Sequence, residues 1–195
     1  MKNKIILLLF LIINLTLNGF SDKKSNQKKE ENLFKDYKEK ADLYLSRKYF
    51  KGTPIKGEML LNSAKKAYDS TGIIIPIELV LSQAQWESGM GLKGRSPKTN
   101  PFNIGEYGYK TVFKFKTTQE GIDAYYYLLT TKYLKCRSVD ELLKNFVNCN
   151  GNRYAYGKKY EDRVKKQYYF IKKWLNENYL TNNSTHGLTI QNMDN

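Results

Sequence analysis

The chain has 195 residues, 33 lysines and arginines against 19 acidic residues, a formal net charge of +14, and 41% apolar residues. This length predicts one domain with tails. Two cysteines and a single histidine, His186, do not provide the ligand cluster of a zinc site. Because His186 lies in a polar tail, a Cys–His or Ser–His–Asp catalytic centre is also disfavoured. The remaining class of catalysis is carboxylate chemistry.

Residues 1–21 have the pattern of a secretory signal peptide. Two lysines precede an apolar run from Ile5 to Leu17, and Gly19 and Ser21 supply small residues for cleavage. An uncleaved anchor is the alternative, and the lack of a cysteine near residue 21 argues against a lipid anchor. We therefore predict export, to the periplasm or the cell surface.

The charge of the exported part indicates its partners. Without Lys2 and Lys4 the chain keeps 31 basic residues against 19 acidic ones, a net charge of +12. A basic exported protein meets anionic polymers such as cell-wall glycans, anionic lipids or nucleic acid. No predicted helix is continuously basic in the register of a groove reader, so nucleic acid is disfavoured. We expect a monomer that contacts a membrane only through an uncleaved signal segment.

The first half of the mature chain is predicted to be helical. Residues 22–31 form a polar linker, and a domain spans 32–180. Its first helix covers 33–45 and its second covers 59–70, with Gly72 as the stop. The next helix begins at Pro76, and four residues give it an apolar face: Ile77, Val80, Leu81 and Ala84.

Glu87 lies at the end of this central helix. It extends the apolar face by one turn, and Gly89 and Gly91 end the helix just beyond it. Loss of solvent and the negative end of the helix dipole both disfavour a carboxylate there, so we predict a raised pKa. A protonated carboxyl group near neutral pH is what a glycosidase needs as its general acid. The alternative is a partly exposed residue at a frayed helix end.

The second half is predicted to add a small β element and more helices. Residues 92–100 form a basic loop, and 103–115 form a hairpin-like lobe. Two capping boxes, at 117–120 and 138–141, begin the next two helices. A last helix carries a buried stripe of Tyr160, Val164, Tyr168, Ile171 and Leu175, and 181–195 are predicted to be a disordered tail. The fold class is therefore mainly α (α+β), with a small β-hairpin lobe flanking an active-site cleft.

Cys136 and Cys149 are the only cysteines. An oxidising compartment permits a bridge between them, but their spacing alone is equally compatible with two free thiols.

Several motifs resemble those of the bacterial glucosaminidases of glycoside hydrolase family 73, which are lysozyme-like autolysins. The helix end resembles their Q-A-x-x-E-S-G-x-G motif through Gln83, Ala84, Glu87, Ser88, Gly89 and Gly91. The next segment resembles N-N-L-F-G-I through Asn100, Phe102 and Ile104, with Pro101 in place of Leu and Asn103 in place of Gly. Residues 115–126 and a G-x-x-Y-A…Y loop at 151–160 add two further similarities, and the likeness covers about residues 49–175.

The resemblance implies roles for individual residues. It makes Glu87 the general acid that protonates the departing sugar oxygen. It places Gln83, Phe102, Asn103 and Tyr154 among the substrate-binding residues. For Phe102 and Tyr154, packing in the core or in a turn is an equal alternative.

A second catalytic group is predicted less directly. Glu106 is the only acidic residue between Ser88 and Thr118, and it lies in the predicted lobe across the cleft. It is therefore the candidate partner carboxylate. Alternatively the N-acetyl oxygen of the substrate attacks the anomeric carbon, and Glu106 only positions water or the acetamide. Glu120 and Asp123 are predicted to be structural.

The predicted function is thus an exported β-N-acetylglucosaminidase that acts on peptidoglycan without a metal or organic cofactor. A lytic transglycosylase with the same Glu87 is one alternative, although the G-L-M-Q type segment of those enzymes does not follow Glu87. A catalytically inactive cell-wall-binding module is another.

Overall fold

The computed structural model describes residues 25–94, 97–105, 112–155, 157 and 159–191, with the backbone alone for 180–191. The signal segment and Glu106 lie outside these residues. The chain divides into two units, 1–36 and 37–195, and this boundary falls inside the predicted domain of 32–180. None of the described helices combines the length and apolar character needed to cross a membrane.

Helix α1 (25–45) begins within the predicted linker. The part of that linker from residue 25 onward is therefore helical. Lysine, glutamine and glutamate dominate this stretch and are good helix formers. In the first unit, the Gln27 Nε2 amide donates to Glu31 Oε1 at 3.3 Å, one helical turn away.

The second unit is mainly helical. After the α1 residues and a single 3₁₀ turn, Lys48–Phe50, come α2 (Gly57–Thr71), α3 (Ile77–Ser88) and α4 (Thr118–Leu128), which continues as a π-helical turn, Leu129–Tyr133. Helices α5 (Val139–Asn145) and α6 (Tyr160–Gln191) follow. Helix α3 packs on α6, α2 on α4, and α5 on α6.

The predicted helix ends are confirmed where local chemistry sets them. Gly72 and Gly89 adopt left-handed conformations, at φ 69° and 56°, and end α2 and α3. Ser138 and Glu141 form a reciprocal capping box at the start of α5. At α4, Thr117 accepts from the Glu120 N–H as predicted, but the Glu120 carboxylate accepts from Lys116 N.

Helix α3 is buried on more than the predicted face. Leu79, Ser82 and Gln83 are as fully buried as Val80 and Leu81. A helix surrounded by other elements buries polar positions too, and those positions must then find hydrogen-bond partners. This burial sets up the site at the end of α3.

The predicted tail at 181–195 and the predicted lobe at 103–115 are each only partly covered by the described residues. Helix α6 continues through Gln191, into the stretch that the sequence predicts to be a disordered tail. Extending an existing helix costs much less free energy than nucleating a new one, so residues with weak helix propensity can continue α6. Their composition alone did not indicate this. The predicted lobe at 103–115 shows one antiparallel bridge, Gly105–Val112, and the described residues contain no strand; 106–111 lie outside them.

Cys136 and Cys149 form a disulfide with their Cα atoms 5.8 Å apart. The structure thereby selects between the two states that the sequence left open. The bridge closes a short loop that contains α5, and Cys149 N donates to the Lys132 carbonyl within the same region.

Candidate active site

Glu87 lies one residue before the end of α3, and its carboxyl group is enclosed. Oε2 accepts a hydrogen bond from Asn103 Nδ2 at 2.9 Å. Oε1 is buried and has no hydrogen-bond partner among the described residues. Burial raises the pKa of Glu87, and interactions with the Tyr160 hydroxyl and the Asn103 amide offset part of that rise. The carboxyl group therefore holds its proton to higher pH than an ordinary glutamate.

Ser88 ties the end of α3 to the segment that faces it. Its Oγ donates to the Pro101 carbonyl at 2.6 Å and accepts from Gly91 N at 2.7 Å. A Cβ at Gly91 would lie 2.7 Å from Pro54 Cγ, and φ there is +76°, so glycine is required. These contacts explain the Ser-Gly-x-Gly spacing, since they close the turn that follows α3.

Asn100 organises the segment opposite α3. Its side chain is fully buried, with Oδ1 accepting from Ile104 N and Nδ2 donating to the carbonyls of Ile104 and Phe113. The same side chain therefore joins both flanks of the predicted lobe. It also fixes the turn that carries Asn103.

Asn103 adopts φ +52°, a conformation that only Gly, Asn and Asp reach at low cost. This explains how asparagine is accommodated in place of the glycine of the similar family segment. Its Nδ2 contacts the Glu87 carboxyl as above, and its own Oδ1 is buried with no hydrogen-bond partner among the described residues. The predicted substrate-binding role of Asn103 stays a prediction.

Gln83 is completely buried one turn before Glu87. Its Oε1 accepts from the Tyr125 hydroxyl at 2.6 Å, and its Nε2 donates to the Tyr160 hydroxyl oxygen at 2.9 Å. Because Tyr160 accepts from Gln83, its own proton is free to interact with Glu87. In this position Gln83 orients the Tyr160 hydroxyl, and its predicted substrate-binding role stays a prediction.

Phe102 and Tyr154 form a second layer around the carboxyl group. Phe102 is fully buried and stacks on Tyr125 with ring centroids 3.7 Å apart, so its packing alternative describes it better than a cleft-lining role. Tyr154 is half-buried, and its hydroxyl donates to the Phe102 carbonyl at 2.8 Å. Tyr125, Tyr154 and Tyr160 all interact electrostatically with Glu87.

A groove of about 540 Å³ passes the end of α3. Glu87 lies among its lining residues together with the exposed side chains of Tyr49, Trp86 and Lys93 and the half-buried Arg47. Aromatic faces and cations of this kind suit a carbohydrate that carries carboxylates. Arg163 stacks on the Trp86 ring at 4.6 Å and adds charge to the same region.

Two features of the site differ in how far the sequence revealed them. Tyr160 was placed only in the core stripe of α6 and at the end of a loop motif, although it contacts the Gln83 amide and interacts with Glu87. Glu106 lies outside the described residues, so its proposed role stays a prediction.

Among the residues that the structure describes, no His, Cys, Asp or Glu cluster could hold a metal ion.

Comparisons with models of protein families, with curated proteins and with solved structures gave no match to this chain. The functional argument therefore depends on the geometry of the site and on the motif resemblance.

Proposed function

We propose that the protein is an exported peptidoglycan hydrolase, an endo-β-N-acetylglucosaminidase that cleaves β-1,4 bonds of the wall glycan with Glu87 as general acid. The observation that carries the proposal is a buried carboxyl group with one unpaired oxygen, in a residue that lines an aromatic and basic groove. The signal-like segment and the net positive charge support an anionic substrate outside the cytoplasm.

The proposed chemistry begins with proton transfer. Glu87 gives its proton to the glycosidic oxygen as the bond from that oxygen to the anomeric carbon breaks, and the departing sugar leaves as an alcohol. The resulting Glu87 carboxylate keeps the Asn103 amide as a donor and gains from the Tyr160 hydroxyl, because both favour its charged form. Burial thus favours the protonated form of Glu87, whereas the two donors favour the carboxylate.

The anomeric carbon must then be captured by water, whose proton goes to the Glu87 carboxylate in a retaining reaction or to the Glu106 carboxylate if that group acts as general base. We propose Glu106 as the group that assists this step, either as the partner carboxylate or by positioning water or the substrate acetamide. This role requires the predicted β-hairpin lobe to complete a lysozyme-like cleft. The bridge between Gly105 and Val112 supports such a lobe by bringing its two flanks together.

The test is mass spectrometry of soluble products from purified sacculi treated with wild type, Glu87→Gln and Glu58→Gln. Glu58 lies exposed in the first turn of α2, so its variant carries the same chemical change away from the site. We expect wild type and Glu58→Gln to release fragments with N-acetylglucosamine at the reducing end, and Glu87→Gln to release almost none.

Other products would redirect the proposal. Fragments that end in 1,6-anhydromuramic acid would assign lytic transglycosylase activity to the same Glu87. Binding to sacculi without release by wild type would favour a wall-binding module. Equal release by Glu87→Gln and wild type would refute the role of Glu87.

A further inference from the structure

The Asn103 side chain makes two hydrogen bonds to the same residue. Its Nδ2 donates to the Glu87 main-chain carbonyl at 2.7 Å and to Glu87 Oε2 at 2.9 Å. A flipped amide would place Oδ1 against these two acceptors, so the chemistry of the neighbours fixes the orientation of the group. Both protons of one amide are therefore committed to Glu87.

The backbone explains why an amide can reach this position. Asn103 N donates to the Asn100 carbonyl at 3.2 Å, which closes a turn, and φ at Asn103 is +52°. Most side chains are strained there, whereas asparagine is tolerated. The fully bonded Asn100 holds the turn from within the core, so the Asn103 amide is presented to Glu87 by a rigid support.

We propose that Asn103 is a positioning residue that holds Glu87 Oε2 as an acceptor and thereby leaves Oε1 as the oxygen that carries the proton. This inference concerns the site of the proposed function and rests on it for the kinetic test alone. In the protonated acid, Oε2 accepts from the amide as a carbonyl oxygen and the proton occupies Oε1, for which the described residues provide no hydrogen-bond partner. After proton transfer the amide keeps the same bond to the carboxylate, so the carboxyl group keeps one orientation through the cycle.

The surroundings make the contact measurable. The other described groups that interact with Glu87 are the hydroxyls of Tyr125, Tyr154 and Tyr160, and burial raises the pKa of each well above its ordinary value. Between about pH 3 and pH 9, tyrosines of this kind stay neutral. A titration sensed by the Asn103 amide in that range therefore reports on a carboxyl group beside it.

The direct test follows the Asn103 side-chain amide of the full protein by ¹H–¹⁵N NMR as a function of pH, with the signal assigned by its loss in Asn103→Gly. We expect the amide protons to shift with a single midpoint in wild type and to lose that titration in Glu87→Gln. An amide signal that is independent of pH in wild type, or that titrates unchanged in Glu87→Gln, would overturn the proposal. Neither readout requires the protein to be an enzyme.

The kinetic test separates positioning from substrate contact. In Asn103→Gly, which suits the positive φ, we expect kcat on glycan fragments to fall by about 10- to 100-fold with KM changed less than about threefold, because misplacement of a reacting group reduces turnover. Asn103→Asp is nearly isosteric but replaces the donor with an acceptor, and we expect its alkaline activity limb to move to higher pH. A rise in KM with kcat unchanged in Asn103→Gly would assign Asn103 to substrate binding and overturn the positioning role.

Ser88→Ala is the structural control, since it loosens the same helix end without removing a bond to the Glu87 carboxyl group. It should lower the unfolding temperature while the Asn103 amide still titrates with the wild-type midpoint. If wild type cleaves no glycan but its amide follows Glu87, the contact stands and the proposed function fails. If wild type cleaves glycan and the amide ignores Glu87, the positioning proposal fails alone.

Discussion

Asp123 and Glu87 show how differently two carboxyl groups can be treated within one helical unit. Asp123 on α4 accepts from Ser63 Oγ at 2.6 Å, Gln119 Nε2 at 2.9 Å and Lys66 Nζ at 3.0 Å. Although burial acts to raise the pKa of Asp123, these three donors together lower it. Burial instead dominates at Glu87 and raises its pKa, and Oε1 has no hydrogen-bond partner in the part of the chain that the structure describes.

The comparison shows that the number of hydrogen-bond donors distinguishes the two groups: Asp123, which joins two helices, has three, whereas Glu87, the proposed acid, has fewer within the described ranges. A carboxylate that joins α2 to α4 is saturated with hydrogen bonds, because each unpaired buried atom would cost stability. In the role proposed for Glu87, one oxygen of the carboxyl group stays without a donor, as Oε1 does among the described residues. The variants below test this contrast in order of expected effect.

Replacing each carboxyl group with its amide should show the largest difference between Glu87 and Asp123 in the rate of catalysis. We expect Glu87→Gln to lower the rate of glycan cleavage by about 10²- to 10⁴-fold, the usual contribution of a general acid, and Asp123→Asn to change it less than about twofold. Rates are measured on chitooligosaccharides. A nitrophenyl leaving group, which needs no protonation, should recover most of the loss in Glu87→Gln.

A matching loss in both variants would mean that Glu87 acts through the fold, as Asp123 does. Failure of the nitrophenyl substrate to recover activity would equally argue against proton donation by Glu87.

The disulfide tests whether the site also depends on covalent support. Cys136 and Cys149 lie 13 residues apart, and the loop that carries Tyr154 follows Cys149. Closing a loop of this size stabilises a fold by about 3 kcal/mol. We expect the double change Cys136→Ser and Cys149→Ser to lower the free energy of unfolding by roughly that amount in denaturant titrations. Identical denaturant midpoints for oxidised and reduced wild type would contradict this.

Ser88→Ala tests the scaffold next to Glu87. Its loss leaves the Gly91 N–H and the Pro101 carbonyl without their bonds, and such buried groups cost about 1–3 kcal/mol. Thermal unfolding provides the measurement. Ser70→Ala is the control, since Ser70 is exposed and bonds only to carbonyls of its own helix, so its change should stay within about 0.5 kcal/mol. If Ser88→Ala and Ser70→Ala changed the thermal stability equally, Ser88 would not contribute to the structural support of the site.

The pH dependence of stability should have opposite signs at the two carboxyl groups. The lowered pKa of Asp123 means that it stabilises the fold above its unfolded pKa, about 3.9, and loses this effect as pH falls. We expect Asp123→Asn to cost about 1–2 kcal/mol at neutral pH and less in acid. The raised pKa of Glu87 means that its ionisation destabilises the fold as pH rises, so Glu87→Gln should gain stability relative to wild type from acid to neutral pH.

Thermal unfolding of the three proteins between about pH 2 and pH 7 measures both trends, because the Asp123 contribution is lost only below about pH 4. If the stability of Glu87→Gln and of Asp123→Asn changed with pH in the same way, the predicted difference between the two carboxyl groups would be contradicted.

The sequence predicted the parts of this molecule that short-range chemistry controls. Gly72 and Gly89 end their helices, and Ser138 and Glu141 cap α5, because each acts on residues a few positions away. The enclosed position of Glu87 followed from its place on an apolar face at a helix end. Periodicity alone, however, did not show that Gln83 is buried on the remaining side of α3.

The rest depended on distant partners. Gln83 meets Tyr125 and Tyr160, which are 42 and 77 residues away in the chain, so its position in a motif did not reveal that it orients Tyr160. The Asn103 contact with Glu87 needed the left-handed turn that Asn100 holds. The helical extension of α6 and the early start of α1 involve polar residues without an apolar stripe, which periodicity does not detect.

The central claim is that Glu87 keeps its proton, and the most direct measurement is a ¹³C NMR titration of its carboxyl carbon, assigned by comparison with Glu87→Gln. We expect a midpoint above the ordinary glutamate value of about 4.3, because burial outweighs the donors Asn103 and Tyr160. A midpoint at or below that value would mean that burial does not favour the protonated form, and it would contradict the assignment of Glu87 as the acid.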